Sequence, residues 1–133
     1  MGGFLSRDGA AALPYRTDAI AAYQRPVVIL TNWRTYGAAE ILAFLMREYK
    51  RAKVVGNQTE GGFEATQAVD LPSGGFLVTV IGRYISPAGR LLPQDGIEPD
   101  ETVEPPDLDS IRSGEDVYLD RAVDVLRNAP RVL

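Results

Sequence analysis

The stretch Thr31-Asn32-Trp33-Arg34-Thr35-Tyr36-Gly37-Ala38-Ala39-Glu40 joins an apolar run to an amphipathic one and is the part of the chain best placed for chemistry. Open α/β sheets hold ligands at the carboxyl ends of their strands. A helix start adds unpaired backbone N–H groups and the positive end of a dipole. Together these can hold an anion or a developing oxyanion. The side chains needed for the rest of an acyl transfer are scarce. The 133 residues include no His and no Cys, which excludes a Ser-His-Asp triad, a Cys nucleophile and imidazole or thiolate metal sites within this chain. Lys50 and Lys53 are the only lysines, and the other twelve of the 14 cationic side chains are arginines, which make poor general bases. Thr35 and Tyr36 precede the helix start, while Ser73 and Ser86 fall in turns. None has an evident activator, and an unactivated hydroxyl is a weak nucleophile.

The elements that must position this turn are legible from periodicity. Val27-Val28-Ile29-Leu30 follows Pro26 as a continuous apolar run, the pattern of a strand buried on both faces of a parallel sheet. Ala38, Ile41, Leu42, Leu45 and Tyr49 form one apolar stripe at helical spacing. Glu40 in the first turn, and Arg47, Lys50 and Arg51 at the end, suit the helix dipole. A second strand, Lys53 to Gly56, completes a βαβ unit, for which a right-handed crossover is the default. Glu64 to Leu71 and Phe76 to Ile85 read as a hairpin around Pro72-Ser73-Gly74-Gly75, and Ser86-Pro87-Ala88-Gly89 as a further turn. Thr17 to Tyr23 reads as a short helix. The prolines and acids between Pro93 and Pro106 predict an extended surface segment, and Ser113 with Asp116 a capping signal for a terminal helix over about 114–128.

The whole is expected to form a single α/β domain over 1–133. A hydrophobic fraction of 45% and a charged fraction of 24% are those of an ordinary globular protein. The net charge of −4 removes the electrostatic basis for nucleic-acid binding. No apolar run reaches the ~20 residues of a membrane helix, and Met1 to Gly9 lacks the pattern of a signal peptide. The compartment is left open.

Six short motifs in order resemble the catalytic domain of the C-terminal-processing, or tail-specific, serine peptidases and their interphotoreceptor-retinoid-binding and tricorn-core relatives. Val27 to Asn32 followed by Gly37-Ala38-Ala39-Glu40-Ile41 is similar to that family's apolar strand, Asn and S-A-S-A-S-E-I or S-A-A-E. Arg51 to Gly56 resembles G-R-A-x-V-V-G, and Asn57 to Gly62 resembles the G-E-x-T-x-G-K/G loop. Leu71 to Gly75 resembles L-P-D-G-G, Tyr84 to Arg90 resembles Y-x-(T/S)-P-x-G-R, and Asp95 to Asp100 with Val103 echoes G-x-G-I-E-P-D-x-x-V. The resemblance covers 26–103. It implies part of a ClpP/crotonase-like spiral core, with a βαβ unit in a mainly parallel sheet and a β-hairpin.

It also implies roles, position by position. Gly37 occupies the nucleophile position and Gly62 that of the general-base lysine, so both reactive side chains are missing. The Ala38 N–H matches the oxyanion donor beside the nucleophile, and Gly2-Gly3 is a candidate for the upstream donor pair. Gly61 and Gln67 match positions beside the substrate, Gln67 one residue late. Glu98 is a candidate for the late carboxylate of the tricorn-like branch, whose upstream His and Ser partners have no counterpart here. No metal or cofactor is expected. The partners implied are polypeptide C-termini bound as extended peptides at a strand edge, together with a second copy of the chain.

Three readings stay open at this stage. One is a peptidase-family domain that has lost its nucleophile and still binds peptide. Another is a structural or regulatory subunit that self-associates or docks on an active homologue. The last keeps the oxyanion donor without a nucleophile, as crotonase-like folds do with thioesters.

Overall fold

Strand β3, Val28–Thr31, feeds helix α1, Ala38–Glu48, which returns the chain to strand β4, Lys53–Gly56. In this computed structural model, which describes residues 2–6, 9–12 and 23–129, β3 and β4 pair in parallel from Val28 opposite Lys53 to Thr31 opposite Gly56. Strand β7, Glu101–Thr102, adds to the far side of β4, again in parallel. The predicted βαβ unit is therefore present, extended to the strand order β3-β4-β7. These elements belong to a compact unit made of Ile20–Gly61 and Asp95–Leu133; Met1–Ala19 and Gly62–Gln94 form the other unit.

Within the first unit the burial differs from the reading of the sequence in two ways. β3 lies at the edge of the described sheet with Leu30 exposed, while β4 in the centre has Val54 and Val55 fully buried. The strand buried on both faces is thus β4. Helix α1 also presents a different face from the predicted stripe. Glu40, Ala43, Phe44 and Leu45 are buried, whereas Ala38, Leu42 and Tyr49 are exposed. The reason is Glu40, whose carboxylate finds buried donors, as described below, and sets the rotation of the helix.

The segment from 93 to 106 is less superficial than its prolines and acids suggest. Gly96, Ile97 and Val103 are buried, Asp100 N–H donates to the Val54 carbonyl, and the Asp100 carboxylate accepts from Val54 N–H at 2.8 Å. The predicted terminal helix over about 114–128 is present over Val117–Arg127, and a shorter helix outside the predicted range precedes it. Leu108–Ser113 forms α2, capped by the Asp107 side chain, and Gly114 ends it in the left-handed conformation at φ 76°. Val117–Arg127 forms α3, whose N-cap is Asp116, its carboxylate accepting from Leu119 N–H at 3.0 Å. Ser113 is the last residue of α2 and not a cap; its Oγ donates to the Ser110 carbonyl. α3 packs on β3 and β4, and its Tyr118 hydroxyl donates to Asn57 Oδ1.

Glu101 accepts from Arg121 at 2.5 Å and lies 3.6 Å from Lys53 Nζ. The hydrogen bond and charge of Arg121 hold the Glu101 carboxyl below its usual 4.5. A lowered folded-state pKa contributes stability that is complete above the unfolded carboxyl value and disappears as pH falls through the lowered one. Urea unfolding between neutral pH and about pH 3 is therefore expected to show a shallower acid-side loss in Glu101→Gln than in the parent.

The other unit contains the predicted hairpin. Strands β5, Glu64–Asp70, and β6, Phe76–Ile85, pair antiparallel with a bulge after Ala65. Val69, Phe76, Leu77, Val78, Val80 and Ile81 are all exposed along it. The Ser86 to Gly89 turn forms as expected, with Gly89 N–H on the Ser86 carbonyl. Two strands that periodicity did not show, β1, Gly3–Ser6, and β2, Gly9–Ala12, extend this sheet to the order β2-β1-β6-β5. They are too short and Gly/Ala-rich to display alternation. Pairing with β6 orders β1, and Phe4 packs on Phe63 and edge-on against buried Tyr84. The helix predicted over Thr17 to Tyr23 lies almost wholly outside the described residues.

Candidate active site

The turn after β3 is built by its own polar side chains. Asn32 Oδ1 accepts from Arg34 N–H at 2.9 Å, and Thr35 Oγ1 accepts from Asn32 N–H at 3.0 Å. Thr35 is thus a structural hydroxyl. Trp33 and Tyr36 project into solvent, with the Arg34 guanidinium 5.4 Å from the Trp33 ring centre. At the base of the turn Thr31 is buried, donating through Oγ1 to the Asn57 carbonyl while Asn57 N–H returns to the Thr31 carbonyl. This brings the loop after β4 alongside the βα turn, and Glu60 N–H donates to the Thr35 carbonyl at 3.0 Å.

Gly37 is buried and is the N-cap of α1, with φ 70° and ψ −127°. A side chain is strained in this conformation. The Gly37 carbonyl accepts from Glu40 and Ile41 N–H. Ala38, the first helical residue, is exposed, and no acceptor among the described residues takes its N–H, as expected for the open end of a helix. The geometry leaves one backbone donor pointing out of the helix start beside a residue without a side chain.

Glu40 holds this arrangement. It is fully buried, and its carboxylate accepts three hydrogen bonds. Oε2 takes Gly37 N–H at 3.1 Å, and Oε1 takes Gly61 N–H at 2.9 Å and the Thr59 hydroxyl at 2.5 Å. Thr59 Oγ1 in turn accepts from Ile97 N–H at 2.8 Å, and Thr59 N–H donates to the Ile97 carbonyl. A single carboxylate therefore ties the helix start, the loop at 59–61 and the segment at 96–97. Only half of a capping box is present, because Gly37 has no side chain to return a bond to the Glu40 amide.

Sequence reasoning singled out neither Glu40 as the organiser of the site nor Thr59 as its relay. The available signal was the N-cap-to-N3 spacing of Gly37 and Glu40, and the recurrence of both Glu40 and Thr59 inside the quoted motifs. Among the other predicted positions, Gly61 is buried and bonded to Glu40. The Glu98 carbonyl accepts from Arg47, its side chain is exposed, and among the described residues no hydrogen bond joins its carboxylate to Gly37 or Ala38. Gly62 and Gln67 belong to the other unit. Gly62 has φ 71° and open space where a Cβ would sit; its N–H donates to the Gln94 carbonyl. Gln67 is exposed in β5 opposite Thr79. Gly2, proposed with Gly3 as a donor pair, directs its N–H to Tyr84 Oη at 3.3 Å, and Gly3 lies within β1.

Strand, sharp glycine turn and helix, with an outward amide at the helix start, define the βα turn of an α/β scaffold. Residues 6–103 match the model of Peptidase family S41, and the chain belongs to that family. It is 35% identical over 114 residues to a carboxyl-terminal-processing protease of Synechocystis, covering 84% of this chain and 27% of that protein. It is 33% identical over 103 residues to the protein of the same name from Picosynechococcus, covering 76% and 25% respectively. The chain thus spans about a quarter of these relatives. A solved photosystem II D1 C-terminal processing protease superposes with a TM-score of 0.60 at 28% identity, covering 94% of this chain and 32% of that one. A candidate peptidase from Parabacteroides merdae superposes with a TM-score of 0.76 at 22% identity, over 98% and 44%, a likeness of fold alone. No described helix is long and apolar enough to cross a membrane.

Proposed function

We propose that this chain is a serine-peptidase-family module that does not cleave peptides as it stands and that binds extended polypeptide C-termini at the βα turn. The observation that carries this reading is Gly37: a glycine-only backbone conformation at the N-cap, beside the unengaged Ala38 amide and in a frame locked by Glu40. A carbonyl oxygen placed at that amide would gain a hydrogen bond that strengthens as negative charge develops. No oxygen is present at position 37 to attack it. Neither lysine compensates. Lys50 and Lys53 lie beyond the C-terminal end of α1, and an 11-residue helix at 1.5 Å per residue separates them from Gly37 by roughly 16 Å. Gly61 and Gln67 are the positions this reading places beside the peptide, and Glu98 the carboxylate it reserves for the later part of the site. The relatives named as C-terminal-processing proteases support C-terminal peptides as the ligand class.

The test uses the sole tryptophan, Trp33, as reporter. An unstructured peptide with a free C-terminus is expected to change Trp33 emission saturably, while mass spectrometry finds no cleavage by the parent or by Gly37→Ser. The variant is expected to lose about 1–3 kcal/mol of stability through its positive φ. An unchanged emission would overturn peptide binding. Robust cleavage by Gly37→Ser alone would overturn the argument from the missing base.

The apolar exposure of the β5–β6 hairpin favours a second reading, a non-catalytic subunit that self-associates. Light scattering on the same sample discriminates, since a monodisperse monomer counts against it.

A further inference from the structure

A concavity lies at the other end of the β3-β4-β7 sheet, where the strands begin and where α1 and α3 end. It has a volume of about 800 Å³ and is lined by Arg25, Arg47, Lys50, Arg51, Lys53 and Arg121. In a chain with 14 cationic side chains and a net charge of −4, this cleft gathers both lysines and four arginines. Its carboxylates are those of Asp100 and Glu101. Asp100 is bonded to Val54 N–H, and Glu101 is paired with Lys53 and Arg121. Four cations therefore have no carboxylate partner among the described residues.

Two of those four are held in place by neutral acceptors. Arg47 donates to the Glu98 carbonyl, and Arg51 to the carbonyls of Tyr23 and Arg25. Carbonyls orient a guanidinium without cancelling its charge. Arg25 and Lys50 are exposed, and no partner for either side chain occurs among the described residues. The lining also includes Val27, Val28, Ala52 and Val125, so the charges act next to low-dielectric walls. Complementing the helix dipole accounts for cations in the last turn of α1. It does not account for Arg25, or for Lys53 at the start of β4.

We propose that this cleft binds a small multivalent oxyanion, a ligand carrying two or more phosphate or carboxylate groups. The volume falls in the range of small-molecule sites, and arginine forks with lysine point charges are the donors that phosphate and carboxylate oxygens take. An extended polyanion fits less well. Asp120 and Asp124, next in sequence to the lining residues Arg121 and Val125, are exposed on α3, Glu104 and Asp109 are exposed earlier in the chain, and the protein as a whole is acidic. A duplex or an anionic bilayer would meet those charges as well as the cations.

Isothermal titration of the full chain at low salt, with tripolyphosphate and separately with citrate, tests the site. Saturable binding of one equivalent is expected, and the stronger of the two ligands assigns the cleft to phosphates or to carboxylates. The double variant Arg25→Gln/Lys50→Gln is expected to bind at least about tenfold more weakly, or about 1.4 kcal/mol, with an unchanged melting temperature. The control Arg112→Gln, on α2, is expected to bind as the parent does. Failure of both ligands to saturate the parent would overturn the proposal, as would equal affinities for the double variant and the control. Saturable binding confined to a duplex oligonucleotide would also overturn it, replacing the small ligand by an extended one.

Discussion

Replacing Glu40 with alanine is expected to cost about 3–5 kcal/mol of unfolding free energy, the range for breaking a buried charged network by removing one partner. The loss has three parts: the Gly37 amide, the Gly61 amide and the Thr59 hydroxyl each lose a buried acceptor. Each stranded donor is worth about 1–3 kcal/mol, and water entering the vacated space keeps the total below their sum. Glu40→Gln retains the volume but turns an amide NH₂ toward one of the three donors, so a smaller loss of about 2 kcal/mol is expected. Urea unfolding monitored by circular dichroism measures both. A cycle with Thr59→Val should show coupling of about 1 kcal/mol or more, because the two residues share one network. A loss below about 1 kcal/mol for Glu40→Ala would mean that the three bonds do not hold the helix start.

Gly96→Ala is the second large effect. A Cβ at this position would sit 2.2 Å from the Thr59 carbonyl oxygen and 2.9 Å from its carbon, at φ +90°. These are backbone atoms, so no rotamer change relieves the overlap. The segment must instead withdraw from Thr59, breaking the bonds that join Thr59 to Ile97 and loosening the relay to Glu40. A destabilisation of about 3 kcal/mol or more is expected, combining overpacking with a disfavoured backbone region. Gly62→Ala supplies the contrast. Its φ is also positive, at +71°, but nothing lies within 4 Å of the added carbon, so only the conformational cost of about 1–2 kcal/mol applies. Chemical denaturation of the pair measures the difference. Equal losses would show that the contact with Thr59 is not what requires glycine at position 96.

The two variants also mark where sequence patterning stopped being informative. Hydrophobic spacing located α1, β4 and the β5–β6 hairpin because those elements owe their existence to local propensity and adjacent turns. The same spacing assigned Leu42 and Tyr49 to the buried face of α1, where both are exposed. An apolar stripe reports which side chains leave water readily. It does not report that a carboxylate three positions after the N-cap will meet three donors from residues 37, 59 and 61. β1 and β2 escaped notice for a similar reason, since strands this short are ordered mainly by their partners. The expected terminal helix is α3, but the six-residue α2 before it, closed by Gly114 in the left-handed conformation, was too short to show a periodic pattern.

Residue identity alone settled which side chains are missing: with no His and no Cys, the chain holds no imidazole and no thiol wherever the backbone travels. Motif order was likewise enough to point to the family to which residues 6–103 belong. Three-dimensional packing decided the rest. It made Glu40 the internal clasp of the helix start and drew Thr59 and Ile97 to it. It also gathered cations from residues 25, 47, 50, 51, 53 and 121 around one cleft. These are encounters between positions far apart in the chain, and only chain closure brings a buried acceptor to its donors or concentrates like charges against the penalty of their repulsion.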